Sequence, residues 1–266
     1  MATYKSVRPM PRSMPLMMLC AALLAQADER ANRLVGAGVA EFNAAYQAWD
    51  GARFAAASDL FHQAVSHAPA SSAALYWLGT TEFHRMLRLE TEVSTRARKS
   101  EVDAAREAAL RALTRAVQLD ERHAESHALL GTLYGMKIGG SLLRAAQYGP
   151  RVQKHCKKAL ELGADNPRVR YLIGTCQFHV AKRPAARREA LATFLEAEKL
   201  FVLEARRPAG PLEPRWGRSS CLTFIGRTYE ALGERAEAAD VFRRALAEHP
   251  ADHWAKEGLE RVTANP

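Results

Sequence analysis

Histidine and cysteine are the residues of this sequence whose spacing could support chemistry. His123 and His127 lie four positions apart, so on a helix they would share one face and could bind a metal ion. We expect His123 in the turn before that helix, and no acid or cysteine completes a ligand set, so we favour a structural role. His155 and Cys156 are adjacent, and adjacent helical side chains point about 100° apart rather than toward each other.

Sequence motifs of the common enzyme classes are absent. The chain has no G-x-S-x-G, P-loop, Rossmann or H-E-x-x-H pattern, and no C-x-x-C. Cys156 and Cys176 should lie on neighbouring helices and could pair, but we favour buried free thiols for both and for Cys221. We therefore expect no catalytic residue, no metal and no cofactor.

The first 27 residues have the pattern of a secretory signal peptide. A basic start precedes an apolar run at 16–25, and small residues at 25 and 27 suit cleavage. The apolar run is too short to span a bilayer. We predict a signal peptide at 1–27, cleavage near Ala27, and a periplasmic or secreted mature chain. The alternative is a cytoplasmic protein with an uncleaved amino-terminal helix. The basic residues of the start are Lys5, Arg8 and Arg12.

The charge balance limits the classes of partner. The formal net charge is +9 over 266 residues, and removal of residues 1–27, which hold three basic and no acidic residues, lowers it to +6. Such an excess attracts acidic partners or anionic envelope polymers. No basic stripe is interleaved with aromatic residues, so we expect no nucleic-acid binding.

A repeated pattern of small and large apolar residues predicts helical hairpins. Ala45 and Gly79 are 34 residues apart, a period typical of such repeats. The clearest copy consists of Ile225, Gly226, Tyr229, Gly233, Ala238, Phe242, Ala245 and Pro250. It resembles the tetratricopeptide repeat (TPR) superfamily, whose pattern is W-x₂-L-G-x₂-Y, then A-x₃-F and P. The resemblance covers nearly the whole mature chain. It implies an all-α, right-handed superhelical solenoid of about five hairpins with a C-terminal capping helix.

The predicted solenoid domain covers residues 28–266. Asn166 followed by Pro167 predicts a helix start, and Asp252 can cap the terminal helix. The predicted repeats are approximately 38–71, 72–123, 124–166, 167–205 and 219–252, followed by a capping helix at 252–262.

Three middle repeats carry extra residues at the turn inside the hairpin, which should extend one rim of the solenoid. The charged stretch at about 85–105 favours helix. The glycine-rich stretch that follows Gly135 predicts a loop around a short helix at 141–147. The three prolines of 206–217 predict a loop or hinge.

The TPR resemblance implies that the first helix of each hairpin lines a concave groove. Rings there would bind an extended or helical peptide by burial and stacking, with threonine and histidine as orienting donors. The alternative is that the same aromatic residues pack as core. The partner-binding set obtained by projecting the first helices is Phe42, Tyr46, Trp49, Tyr76, Thr80, Phe83, His84, Tyr171, Thr175, Phe178, His179 and Arg227.

The function that these features favour is a non-catalytic scaffold or adaptor for protein–protein interaction in the bacterial cell envelope. Its partner would be a peptide or protein segment in the aromatic groove. The alternative is a protein that binds an envelope polymer, either glycan or peptidoglycan, because aromatic rings stack on sugars. We expect no integral membrane span. An enzyme with an unrecognised site is a further alternative.

Overall fold

The computed structural model describes residues 16–91 and 96–264, and within them every regular element is a helix, which confirms the predicted all-α class. The basic start of the predicted signal peptide lies outside these residues. No helix within them is both long and apolar enough to cross a membrane. The helices are α1 (Leu16–Ala48), α2 (Gly51–His67), α3 (Ser72–Glu90), α4 (Arg96–Leu119), α5 (Ala124–Ile138), α6 (Leu142–Gly163), α7 (Pro167–Val180), α8 (Pro184–Ala205), α9 (Arg218–Leu232), α10 (Arg235–Glu248) and α11 (His253–Thr263).

Successive helices pack as hairpins that stack in chain order. The pairs are α1 with α2, α3 with α4, α5 with α6, α7 with α8, and α9 with α10, while α11 covers α10 and α9. One continuous apolar core runs through all of them. Each hairpin buries its apolar face against its neighbours, as expected for a repeat solenoid.

Glycines on the first helices permit the close contact within each hairpin. In four hairpins a Cβ added to the glycine would lie within 3.0 Å of a side chain on the second helix, so only glycine fits without movement. These small and large residues are those of the TPR-like pattern. The pairs are Gly79 with Leu113, Gly131 with Cys156, Gly174 with Phe194, and Gly226 with Phe242.

In the first hairpin, the small residue that faces the second helix is not the one that the repeat pattern predicts. The glycine that faces Phe61 of α2 is Gly38, not the residue at the predicted position, Ala45. The 34-residue spacing from Ala45 to Gly79 therefore does not join equivalent positions. Gly38 and Ala45 are seven residues apart, which is about two helical turns, so both fit the small-residue pattern of one helix face.

Within the residues that the structure describes, the first two inserts lengthen helices. The charged stretch at 85–105 extends α3 to Glu90 and starts α4 at Arg96. The predicted short helix at 141–147 is wrong, because α6 continues through Pro150. Proline removes one backbone donor, which leaves the carbonyl four residues earlier, at Ala146, without its helical partner. Ala146 and Pro150 are both exposed, so water can hydrogen-bond to that carbonyl.

Capping side chains set the start of several helices. Asn166 accepts hydrogen bonds from the backbone of Arg168 and Val169, and Pro167 opens α7, as the sequence predicts. Asp252 caps α11 through Ala255. At the other end of the chain, α1 runs uninterrupted across Ala27, and the core of the described side chains begins at Ala31.

Candidate functional site

The segment 206–217 is irregular, as its prolines predict, but its end turns inward among the first helices. Trp216 is only 1% exposed. Its ring lies edge-on to that of His84, with centroids 4.9 Å apart, and its Nε1 donates to the Tyr76 hydroxyl at 3.4 Å. The chain's own tryptophan therefore occupies space that the sequence assigns to a partner.

Gly217 fixes this segment against α1. Its backbone N–H donates to the Tyr46 hydroxyl at 3.1 Å, and that hydroxyl also lies 3.2 Å from Ser220 Oγ. Gly217 has a φ of 104°, which glycine adopts without the cost that other residues pay. A Cβ there would also lie 3.2 Å from the ring of Phe201.

The first and last hairpins are in direct contact. His249 Nε2 donates to the backbone carbonyl of Tyr46 at 2.7 Å, across 203 positions of sequence. The rings of Trp49 and Trp254 pack edge-on, with centroids 6.0 Å apart. Near this contact, Thr223 donates to Asp252 at 2.7 Å. The solenoid is therefore closed between α1 on one side and α10 and α11 on the other.

Most of the predicted partner-binding set is packed inside this closed solenoid. Trp49, Phe178 and Arg227 are half-buried, and His179 is exposed. The expectation of an open groove along all five first helices is thus wrong for the centre of the molecule, because Trp216 and the contact between end hairpins fill it. The buried members are Phe42, Tyr46, Tyr76, Thr80, Phe83, His84, Tyr171 and Thr175.

Burial determines the protonation state of His84. Its pKa is lowered to about 4, so the imidazole is neutral near pH 7. Its Nδ1 donates to the Thr80 carbonyl at 2.8 Å, within α3. His84 is thus a neutral, buried side chain that packs within the core.

A buried ionic network lies beside Trp216. Arg168 Nε donates to Glu125 at 2.8 Å, and its two terminal nitrogens donate to the carboxylate of Glu204 at 2.9 and 2.6 Å. Tyr76 donates to Glu125, and Asn166 does so at 2.7 Å. The network joins α3, α5, α7 and α8.

Electrostatics hold this network in its charged form. Burial alone would raise the pKa of Glu125, but Arg168 and the hydrogen bonds from Tyr76 and Asn166 outweigh burial and lower it. Burial opposes the charge of Arg168 too, yet Glu125 and Glu204 raise its pKa. Burial, then Glu125, raises the pKa of Tyr76, so the phenol stays protonated as a donor.

Three accessible residues of the predicted set form a compact group with Phe224, at the end of α7 and in the middle of α9. We call it the aromatic–arginine cluster, and its members are Phe178, His179, Phe224 and Arg227. The rings of Phe178 and Phe224 meet edge-on at 5.5 Å, and the guanidinium carbon of Arg227 lies 5.2 and 4.9 Å from their centroids. The ring centroid of His179 lies 5.5 Å from that of Phe178.

The other histidine candidates have structural contacts. His123 caps α5 by accepting from the Ser126 backbone at 3.2 Å. His127 lies 2.9 Å from His155, Nδ1 to Nδ1, and its Nε2 donates to the Glu121 carbonyl at 3.2 Å. Over 16–91 and 96–264, no three His, Cys, Asp or Glu side chains are grouped to hold a metal.

The three cysteines of the predicted mature chain are free thiols. Cys176 Sγ lies 3.8 Å from Thr132 Oγ1, and Cys156 Sγ faces Gly131, so the two thiols meet the same turn of α5. A hydrogen bond to Cys176 and burial raise the pKa of Cys156. Cys221 is fully buried.

Five residues that shape the site are absent from the predicted set: Trp216, Phe224, and the three charged residues of the network. A tryptophan in a segment otherwise rich in Pro, Gly and Arg was one available signal. Another was the position of Arg168, a basic residue directly after the proline that opens α7.

The overall fold is similar to that of solved TPR structures. A thermophilic TPR protein from Thermus thermophilus superposes with a TM-score of 0.62 at 16% identity, covering 88% of this chain and all of that one. The Cut9–Hcn1 hetero-tetramer of the APC/C gives a TM-score of 0.61 at 15% identity, covering 94% of this chain and 39% of that one. These likenesses establish a TPR-like helical repeat.

Comparison with curated proteins gives no match. The family described as regulator of microtubule dynamics protein 1-3 matches residues 80–263, from α3 to the end of α11. That range includes Trp216, the three charged residues of the buried network and the aromatic–arginine cluster. The chain belongs to the family of regulator of microtubule dynamics protein 1-3.

Proposed function

We propose that this protein is a non-catalytic scaffold that binds a segment of another protein at the aromatic–arginine cluster. The observation that carries the proposal is that Phe178 and Arg227 of the predicted groove lie together with Phe224, half-buried, where Trp216 does not fill the groove. The family description names regulators of microtubule dynamics, and a partner-binding role agrees with that description.

The cluster offers two kinds of contact to a peptide. Phe178 and Phe224 present ring surface to an apolar or aromatic anchor, the kind of residue that dominates binding energy at interfaces. Arg227 stacks on both rings, and within the described residues no carboxylate lies within 4 Å of it. Burial lowers the pKa of Arg227, so a partner's carboxylate or carbonyl would compensate a partly desolvated cation.

Site-specific photocrosslinking in cells tests the proposal. A photoreactive phenylalanine analogue at Phe178 should crosslink a partner, whereas the same group at Ala192, an exposed residue of α8, should not. Replacing Arg227 by alanine should reduce the crosslink at 178 by about tenfold, because it removes a charge-assisted contact. The same crosslinked protein from both positions, or a yield unaffected by the Arg227 change, would contradict the assignment.

We further propose that the scaffold works in the bacterial cell envelope after removal of residues 1–27. Support comes from the signal-like amino terminus and from the burial pattern of α1. Residues 28–30 are exposed, and Ala31 is the first buried residue among the described side chains, so a cleavage site after Ala27 would lie just before that packing.

Mass spectrometry of the chain recovered from its native cells decides the location. We expect a mature chain that begins at Asp28 and fractionates with the envelope. A chain that retains residues 1–27 and fractionates with the cytoplasm would refute export while leaving the aromatic–arginine cluster testable.

A further inference from the structure

A second surface with binding character lies between α4, α5 and α6. It is a cleft of about 360 Å³ that the aromatic–arginine cluster does not share. Four cations from three helices line it, together with two tyrosine rings. These residues are Arg111, Arg115, Lys137, Arg151, Tyr134 and Tyr148.

The cleft carries an excess of positive charge. Glu107 is the acidic residue that lines it, and it pairs with Lys137 at 2.5 Å. Arg111 and Arg151 are exposed, and no carboxylate of the described residues lies within 4 Å of either guanidinium. At least two cations at this cleft therefore have no acidic partner within the described part of the chain.

Aromatic stacking orients one of these cations. The rings of Tyr134 and Tyr148 are stacked at 6.1 Å with an interplanar angle of 18°. The guanidinium carbon of Arg151 lies 5.5 Å from the Tyr134 centroid and 5.7 Å from that of Tyr148. A guanidinium held this way loses less conformational freedom when its planar fork engages a carboxylate.

The rest of the lining suits a peptide better than a continuous polyphosphate. Leu110 provides apolar surface, and Thr114 and Gln118 offer neutral hydrogen-bonding groups for a peptide backbone. Glu107 would repel an unbroken polyanion but leaves room for separated carboxylates. We propose that this cleft binds a segment of a partner protein that is rich in Asp and Glu side chains.

The inserted residues of the third hairpin help to build this cleft. Ser141 caps α6 through Arg144, and the turns that follow carry Tyr148 and Arg151 to the cleft. The longer hairpin thus gives the solenoid a basic, aromatic edge. This cleft is independent of the aromatic–arginine cluster, because the two share no residue.

Binding of a synthetic acidic peptide to the full chain tests the inference. We would measure the fluorescence anisotropy of a labelled peptide of alternating Glu and Gly, with a Gln–Gly peptide as the neutral probe. The Glu peptide should bind at least about tenfold more tightly. Replacing Arg111 and Arg151 by glutamine should weaken it about tenfold or more, since charge-assisted hydrogen bonds are lost. Arg151→Lys keeps the positive charge but lacks the planar guanidinium, so it should cause an intermediate loss of affinity for the Glu peptide.

A matched control separates the cleft from general attraction to a basic protein. Arg243 and Lys256 are exposed residues elsewhere in the chain, and changing both to glutamine removes the same charge. That control should alter binding less than about twofold. Equal losses in the two double variants would overturn the cleft assignment, and so would equal affinity for the Glu and Gln peptides. An oligothymidylate that binds more tightly and depends on the same arginines would instead indicate nucleic acid. Circular dichroism would verify that all variants are folded.

Discussion

Replacing Arg168 by leucine should lower the free energy of unfolding by about 3–5 kcal/mol. Arg168 lies between Glu125 and Glu204, and all three side chains are buried. Removing the cation leaves two carboxylates without compensation in a low-dielectric interior, where an isolated charge is costly. Chemical denaturation followed by circular dichroism measures the loss.

Two further variants define the cause of that loss. Changing Glu125 and Glu204 to glutamine in the Arg168→Leu background should recover part of the stability, because no buried charge then remains. Arg188→Leu breaks an exposed ion pair with Glu234 and should cost about 0–1 kcal/mol. An Arg168→Leu variant as stable as this control would show that the network does not hold the fold together.

Replacing Trp216 by alanine should cost about 3–5 kcal/mol and release the segment 206–217 from the interior. The change removes a fully buried indole and leaves a cavity bordered by Tyr76 and His84. Released chain should become sensitive to trypsin at Arg206 and Arg215. Denaturation and timed proteolysis of the same sample measure the two effects.

The matched control for Trp216 lies in the same segment. Leu212 is 38% exposed, so Leu212→Ala should cost less than about 1 kcal/mol and leave proteolysis unchanged. Trp216→Phe keeps a buried ring but loses the Nε1 donor to Tyr76. We expect it to lower the free energy of unfolding by an intermediate amount. Unaltered stability in Trp216→Ala would contradict the account of an internally filled solenoid.

Local features of this chain could be predicted from its sequence because they depend on neighbours along the chain. The helical class and the packing of Gly226 against Phe242 follow from a pattern that repeats within each hairpin. The start of α7 follows from Asn166 and Pro167. Even locally, the pattern could not choose between Gly38 and Ala45, because both lie on one face of α1.

The candidate site could be predicted less well, because it depends on contacts between distant parts of the chain. Trp216 meets Tyr76 across 140 positions, and no periodicity encodes that contact. Projection of a first helix gives its inward face but not what covers that face. Phe178, His179 and Arg227 do lie together in the structure, but Phe224 was absent from the predicted set.

The contact of Tyr46 and Trp49 with His249 and Trp254 changes how this repeat protein should unfold. In an open array each repeat touches only adjacent repeats, so the ends can fray while the middle persists. Here detachment of either terminal hairpin would uncover the other as well. Fraying is thereby suppressed, and the array should melt as one cooperative unit. The same contact should also slow the last step of folding. The hydrogen bond between His249 and Tyr46 can form only after nearly the whole chain has folded.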